Sequence, residues 1–201
     1  MHYDIIIIGG GAAGLMAAYG ARIASKERPS VLVLEKMPRP GRKIMITGKG
    51  RCNFTNVKSW SDFSAHVRSN SNVLRPAFYS LPPDALIDFF NANGMESVVE
   101  RGDRAFPVSH RSMDVVDALY SAARNAGARV MTDAEVTGVR MEEDFGNRIF
   151  AVETADGQSF SSGRLIIATG GLSYPNTGST GDGYKFAKQA GHAIIEPKAS
   201  L

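Results

Sequence analysis

Apolar residues fall along this chain in two rhythms. Residues 5–8 form one continuous apolar run, Ile-Ile-Ile-Ile, and residues 31–34 form a second, Val-Leu-Val-Leu. Short runs of this kind, bounded by glycine or acid, predict strands buried on both faces, as in a parallel sheet. Between them the apolar spacing is helical. The order is therefore strand, turn, helix, strand. The turn reads Gly9-Gly10-Gly11-Ala12-Ala13-Gly14, and Glu35 closes the second strand.

Downstream the rhythm changes several times. Residues 37–56 carry glycine and positive charge and predict a loop. Helices are expected over 73–80 and 84–93, the second opened by Pro82-Pro83 and capped by Gly94. Residues 98–108 read as a hairpin around Gly102-Asp103. Ser112 then opens a helix that ends at Gly127. Short strand-like runs follow around Val130, Val136 and Val139, then over 149–154 and 159–160, with Asp156-Gly157 as a turn. This predicts a small antiparallel meander inserted into the α/β unit. The chain returns through a buried strand at 165–168 that ends in Thr169-Gly170-Gly171. A last glycine-rich turn leads into a helix closed by Gly191, and Ile194-Ile195 is the final apolar pair.

The first turn carries the clearest chemistry. Gly9 permits the sharp exit from the strand. Gly11, without a side chain, lets backbone N–H groups approach a pyrophosphate. Gly14 lets the helix pack closely on the sheet. The helix N-terminus adds unpaired N–H groups and partial positive charge. Glu35 follows about 20 residues past Gly14, where a carboxylate accepts both hydroxyl protons of a ribose and repels a phosphate there. Strand, helix, second strand and acid in this order predict dinucleotide binding.

Composition narrows the reading. The 201 residues are enough for one domain with a sizeable core. No apolar run approaches the roughly 20 residues a membrane helix needs, and no secretory signal is seen at the N-terminus. One cysteine, Cys52, cannot form an internal disulfide, which fits a cytoplasmic protein. The net charge of +3 is too mild to imply nucleic acid by itself. His2, His66, His110 and His192 show no ligand spacing with one another or with Cys52, so no metal is assigned.

Longer motifs are more specific. GGGAAGLMAA followed by VLVLEK resembles the FAD-binding fold of the two-dinucleotide-binding-domain flavoproteins, and the meander ending in LIIATGG resembles their second glycine motif. GRKIMITGKGRCNFTN, RAFPVSHRSMDVVDAL and ATGGLSYPNTGSTGDGYKFAKQAGH together resemble the bacterial NAD(P)/FAD-dependent oxidoreductases of the aminoacetone oxidase-like, or HI0933-like, family. One group in that family is linked to reduction of C=C bonds in bile-acid intermediates. The resemblance covers essentially all 201 residues. It implies an α/β fold: a Rossmann-like FAD-binding domain with a glutathione-reductase-type βαβ unit and an inserted antiparallel meander. Family members run to about twice this length. Residues 1–201 therefore look like the N-terminal portion of a truncated chain, without the substrate domain and the last FAD-contacting segment. Lys49 is a departure, standing where glycine or asparagine is usual.

The resemblance also implies roles. Gly9, Gly10, Gly11, Ala12, Ala13 and Gly14 receive the pyrophosphate, with Glu35 at the ribose and Lys36 beside it among the cofactor-binding residues. Arg42 and Lys43 neutralise phosphate or steady the cofactor. Gly50, Arg51, Cys52 and Asn53 approach the flavin end. Val136 offers backbone groups to adenine or is an ordinary buried valine. Ala168, Thr169 and Gly170 let the returning strand approach the cofactor. Cys52 has no second cysteine for dithiol chemistry, so it reads as a structural thiol, with covalent flavin attachment the minor alternative. Asp182 reads as a helix cap, with an approach to the cofactor as the alternative, and Tyr174 as a neighbour of the flavin or an ordinary packing residue. No catalytic acid or base is named, because redox chemistry belongs to the flavin.

The expected function is hydride transfer through FAD between NADH or NADPH and a small organic acceptor such as an activated C=C bond. Nucleic acid and membrane are not expected as partners, whereas self-association through exposed surface is. Two alternatives stay open: a cofactor-binding module without catalysis of its own, and a flavin-dependent RNA modifier.

Overall fold

A computed structural model of the protein describes residues 1–68, 70–144 and 147–198. In chain order the elements are β1 (His2–Ile8), α1 (Ala12–Ile23), β2 (Val31–Leu34), α2 (Arg42–Ile46), β3 (Thr55–Asn56), α3 (Trp60–Ser64), α4 (Arg75–Ser80), α5 (Pro83–Ala92), β4 (Ser97–Glu100) and β5 (Arg104–Pro107). They continue with α6 (Ser112–Asn125), β6 (Arg129–Met131), β7 (Val136–Asp144), β8 (Asn147–Thr154), β9 (Ser159–Ile167) and α7 (Asp182–Gln189). Short 3₁₀ turns lie at Thr47–Gly50, Ser71–Leu74 and Pro175–Thr177. The chain divides into two compact units, Met1–Lys43 with Ala122–Leu201, and Ile44–Ser121.

The first unit holds a six-stranded sheet in the order β6-β2-β1-β9-β8-β7. β6, β2, β1 and β9 run parallel, while β8 and β7 are antiparallel. The apolar runs explain the parallel half: Ile6, Ile7, Leu32 and Val33 are fully buried. α1 packs close by through Gly14, Leu15 and Ala18, its buried residues. β9 serves both halves. Its start, Ser159 to Ser162, pairs with β8, and from Ser161 to Ile167 it pairs with β1. The sequence suggested two separate strands at 159–160 and 165–168, because Ser161-Ser162-Gly163 between them reads as polar. Ser162 is nonetheless buried, its hydroxyl donating to Arg164 O at 2.8 Å.

The meander is held by a core that joins Ile6, Ile8, Leu32 and Leu34 to Val139, Val152, Phe160 and Phe186. Phe186 comes from α7, so this helix closes the core beside β7. Truncating such a buried ring costs about 3–5 kcal/mol. Arg22, in the last turn of α1, ties the end of α6 to the approach to β2. Its Nε donates to Ala126 O at 2.7 Å and its Nη1 to Pro29 O at 2.7 Å.

The second unit has a three-stranded antiparallel sheet, β3-β5-β4. The hairpin expected at 98–108 is β4 and β5, joined through Gly102 at φ +81°. Phe90 of α5 lies 4.8 Å from the Phe54 ring and fills the core with Met95 and Phe106. The expected loop at 37–56 is partly regular. It contains α2, a 3₁₀ turn and the two-residue strand β3, all too short to show a period. α3 starts at Trp60 because the Ser59 hydroxyl accepts from Asp62 N–H. Trp60, Phe63 and Phe78 then pack ring to ring, with centroids 5.3–5.8 Å apart.

Candidate functional site

The carboxyl ends of β1, β2 and β9 lie side by side, and the first glycine turn rises between them. Ligands of open α/β sheets bind at such an edge. Gly9 N–H donates to Leu34 O at 2.8 Å, and Ala168 N–H donates to Ile8 O at 2.8 Å. These bonds fix the turn to both neighbouring strands.

The four glycines of the turn have different reasons. Gly9 sits at φ +106°, and a Cβ there would lie 2.5 Å from Ala168 O. A Cβ on Gly14 would lie 1.8 Å from Gly9 O, inside any allowed contact. A Cβ on Gly10 would press on the Glu35 side chain at 3.0 Å. Gly9 and Gly14 are required by the fold, and Gly10 is crowded by Glu35. Gly11 is neither. Its φ of −79° suits any residue, and a Cβ built on it meets nothing within 4 Å. Open space at this atom is a cradle that a side chain would fill. Gly11 is also the N-cap of α1, where no side chain caps the helix and no acid stands in the first turn. The N–H groups of Ala12 and Ala13 thus start a 12-residue helix that has no acid in its own first turn.

Glu35 borders the same turn. It is only 9% exposed, and its two carboxylate oxygens accept from separate amides. Oε2 accepts from Gly10 N–H at 2.6 Å and Oε1 from Met37 N–H at 2.8 Å. Its backbone is pinned as well: Glu35 N–H donates to Met131 O, and Ala134 N–H donates to Glu35 O. The sequence identified the acid but not these supports. An ionised carboxylate has about four acceptor positions, so two remain for a diol. Val136 follows Ala134 by two residues. Its side chain belongs to the core, and its backbone stands at a register shift before Gly138.

Lys36 is braced away from the turn. Its Nζ donates to Thr180 Oγ1 at 2.6 Å and to Asp182 Oδ2 at 2.7 Å. Asp182 therefore pairs with Lys36 at the start of α7, rather than capping the helix with its side chain. Burial would raise the Asp182 carboxyl, but the hydrogen bonds from Lys36 and Thr180 outweigh it and hold it below the usual carboxylate range. Gly41 N–H donates to Gly10 O at 2.9 Å, so the segment before Arg42 is anchored on the glycine turn. Lys43 Nζ donates to Ser173 Oγ at 3.2 Å. Thr169 packs against α7, where a Cβ on Gly183 would lie 2.5 Å from Thr169 Oγ1. Gly170 takes φ +76° and passes Ser179. Tyr174 is 67% exposed, and its side chain makes no ring contact or hydrogen bond with these groups among the described residues.

Gly50, Arg51, Cys52 and Asn53 lie in the second unit. Cys52 is buried at φ +56°, and burial pushes its thiol up against a weaker opposing hydrogen bond with Thr47. It is a neutral thiol near pH 7 and a poor nucleophile. With its amide oriented to suit its neighbours, Asn53 donates to Thr55 O at 2.7 Å and Ala105 O at 3.2 Å. Arg51 lies over the Phe106 ring at 4.3 Å and pairs with Glu100 at 3.1 Å. Sequence reading passed over Phe106 and Arg104. Their i, i+2 spacing on β5, which puts both on one sheet face, was the available signal.

The profile of the HI0933-like protein Rossmann domain matches residues 3–199. The chain belongs to the HI0933-like family. It is 30% identical to the ribosomal RNA dihydrouridine synthase of Escherichia coli (strain K12), covering 99% of this chain and 47% of that protein. It is 31% identical to the 3-dehydro-bile acid delta(4,6)-reductase of Clostridium scindens, covering 94% of this chain and 44% of that protein. The chain thus spans about half the length of these curated relatives. Among solved structures, the open conformation of a flavocytochrome c3 fumarate reductase superposes with a TM-score of 0.64 at 19% identity, over 94% of this chain and 40% of the other. That likeness concerns the fold, which is the Rossmann-like FAD-binding type with its inserted meander. Membership of the HI0933-like family makes the chain part of an FAD-binding Rossmann oxidoreductase family. Among the described residues no helix is long and apolar enough to cross a membrane.

Proposed function

We propose that this chain binds FAD for an oxidoreductase that moves a hydride between NADH or NADPH and a small acceptor with an activated C=C bond. The observation that carries the cofactor half is Gly11, a glycine the fold does not require. It stands on an uncapped helix N-terminus beside a held carboxylate. A pyrophosphate fits the first feature and a ribose diol the second. In this reading the amides after Gly11 receive phosphate oxygens, and Arg42 adds charge next to them. Glu35 orients the ribose with the acceptor positions its backbone bonds leave free. The backbone near Val136 meets adenine, and Ala168, Thr169 and Gly170 form a compact wall. Bound FAD would supply the hydride-relay chemistry.

The relatives support the acceptor half through what their names share. A dihydrouridine is a uridine whose C5=C6 bond, conjugated to a carbonyl, has been saturated. A delta(4,6)-reductase also saturates C=C bonds. A second reading follows from the first relative: the C=C bond could be carried by RNA. The two readings share their chemistry and differ in the carrier.

The cofactor test uses the 201-residue chain. FAD and FMN are titrated separately, and the flavin retained after gel filtration is identified by mass spectrometry. FAD is the expected result. Retention of FMN alone, or of neither, overturns the cofactor half. The turnover test gives the full gene product NADH or NADPH with a conjugated enone, an unsaturated acid or uridine-containing RNA. Reduction of a small acceptor is expected. Reduction of RNA alone would replace it with the second reading, and no reduced C=C bond would sink both.

A further inference from the structure

The second unit contains an open cleft of about 510 Å³ lined by Gly48, Lys49, Arg51, Asn53, Arg104 and Phe106. The geometry points to this cleft as an oxyanion subsite, taking a carboxylate or phosphate group carried by the acceptor. This rests on the reading above only in naming the acceptor as the carrier.

Three cations line the cleft and one acid adjoins it. Arg51 is fixed by the Phe106 ring beneath it and by both Glu100 oxygens on one side of its guanidinium. Its Nη1 makes both bonds, which leaves Nε and Nη2 for another oxyanion. The side chain is still 40% exposed. A guanidinium held this way presents a planar fork without losing much rotamer freedom on binding. Arg104 uses its Nε on Arg101 O and has no acidic partner among the described residues. Its guanidinium lies 5.8 Å from the Phe106 centroid, so one ring orients two arginines.

Lys49 is the least expected member. It has φ +57°, between Gly48 at +55° and Gly50 at +84°. A non-glycine residue in this region carries backbone strain. Seven other described non-glycine residues have positive φ, among them Cys52 at +56°, whose side chain is buried. Lys49 is exposed and has no hydrogen-bond or ion-pair partner among the described residues. Its ammonium is therefore free to meet an anion in the cleft it lines. Three cations against Glu100 leave an excess positive charge, and the aromatic floor lowers the local dielectric.

The test follows backbone amides of residues 48–53 by NMR while succinate or inorganic phosphate is added, first without FAD and then at saturating FAD. Two variants remove charge and keep the fold. Lys49→Asn suits the left-handed backbone, and Arg104→Gln leaves no acid unpaired. Lys26→Gln, exposed in the other unit, controls for net charge. Saturable shifts at these amides are expected with at least one anion, and which one responds identifies carboxylate or phosphate. Each cleft variant should weaken binding about tenfold or more, and Lys26→Gln should not. Persistence at saturating FAD supports an acceptor site. Displacement by FAD overturns it, because the cleft would then hold the cofactor's own phosphates. Absence of saturable shifts, or equal weakening by all three variants, also overturns it. Failure of FAD to bind would remove the proposed function, yet the titration without FAD would still decide whether the cleft takes an oxyanion.

Discussion

The glycine turn separates two effects that usually travel together, and a pair of substitutions tests the separation. Gly14→Ala adds a methyl whose carbon would lie 1.8 Å from Gly9 O and 3.0 Å from Gly9 C. Both are backbone atoms of a turn that is itself hydrogen-bonded to β2, so neither moves cheaply. Overpacking of this kind costs about 1–3 kcal/mol or more. At roughly 2–4 °C per kcal/mol for a domain of this size, Tm should fall by several degrees. Gly11→Val adds a larger side chain in open space at an ordinary φ. Restricting the unfolded chain favours it by about 0.4–1 kcal/mol, and replacing glycine at an N-cap opposes it by a similar amount. Tm should therefore stay within a few degrees of the parent. The cofactor result is the reverse. If the amides after Gly11 hold phosphate, the new side chain keeps them from two charge-assisted hydrogen bonds worth about 1.5–3 kcal/mol each. FAD affinity should fall by more than about a hundredfold. Differential scanning fluorimetry reads the first quantity and quenching of flavin fluorescence the second. A Gly11→Val chain that melts normally and binds FAD as tightly as the parent would refute the reasoning, as would one that fails to fold.

Glu35→Gln keeps the size and one acceptor oxygen but removes the charge. FAD binding should weaken about tenfold while AMP-free flavins such as riboflavin are unaffected, and an unchanged FAD titration would take Glu35 out of the site. The Lys36–Asp182 pair sets an acid dependence. Because the Asp182 carboxyl is held below its ordinary value, its contribution is present above the unfolded carboxylate pKa and is lost as pH falls through the lower folded value. Below about pH 4, stability should decline in the parent and decline less steeply in Lys36→Met, measured by urea unfolding at each pH.

The sequence was most legible where one residue has one reason. The runs at 5–8 and 31–34 became β1 and β2 because their residues are apolar on both faces, and parallel strands need that. Gly9 and Gly14 were readable because a sharp exit and a close helix both require the absence of Cβ. β9 was less legible, since Ser161 and Ser162 look like a break and are held by pairing on two sides. β3 has two residues and no period to read. For Lys36, sequence neighbours suggested the cofactor, but its ammonium lies on Thr180 and Asp182, 144 and 146 residues away. No local pattern encodes such a contact. The cleft was half-visible: its Gly48–Asn53 side stands out as basic and glycine-rich, while Arg104 and Phe106 arrive by way of strand pairing.

Residues that the fold does not explain are the best guide to what the protein binds. A core ring such as Phe186 is accounted for by its neighbours, and so is Gly14. Gly11 lacks a steric reason, Lys49 lacks a hydrogen-bond or ion-pair partner among the described residues and holds an unfavourable backbone, and Glu35 is a buried carboxyl whose two amide bonds leave acceptor positions over. A non-glycine residue held at positive φ, as Lys49 is, costs stability. A chain that keeps such features is more stable with the matching ligand than without it, because binding to the folded state alone shifts the unfolding equilibrium. The sites differ in sign in the way this requires. Gly11 and Glu35 offer amide donors and an acceptor, which suit a pyrophosphate joined to a ribose. Lys49, Arg51 and Arg104 offer only donors, which suit an oxyanion with no hydroxyl to give. The two proposals thus assign ligand groups of different chemistry to the two compact units, a pyrophosphate with its ribose to one and an oxyanion to the other.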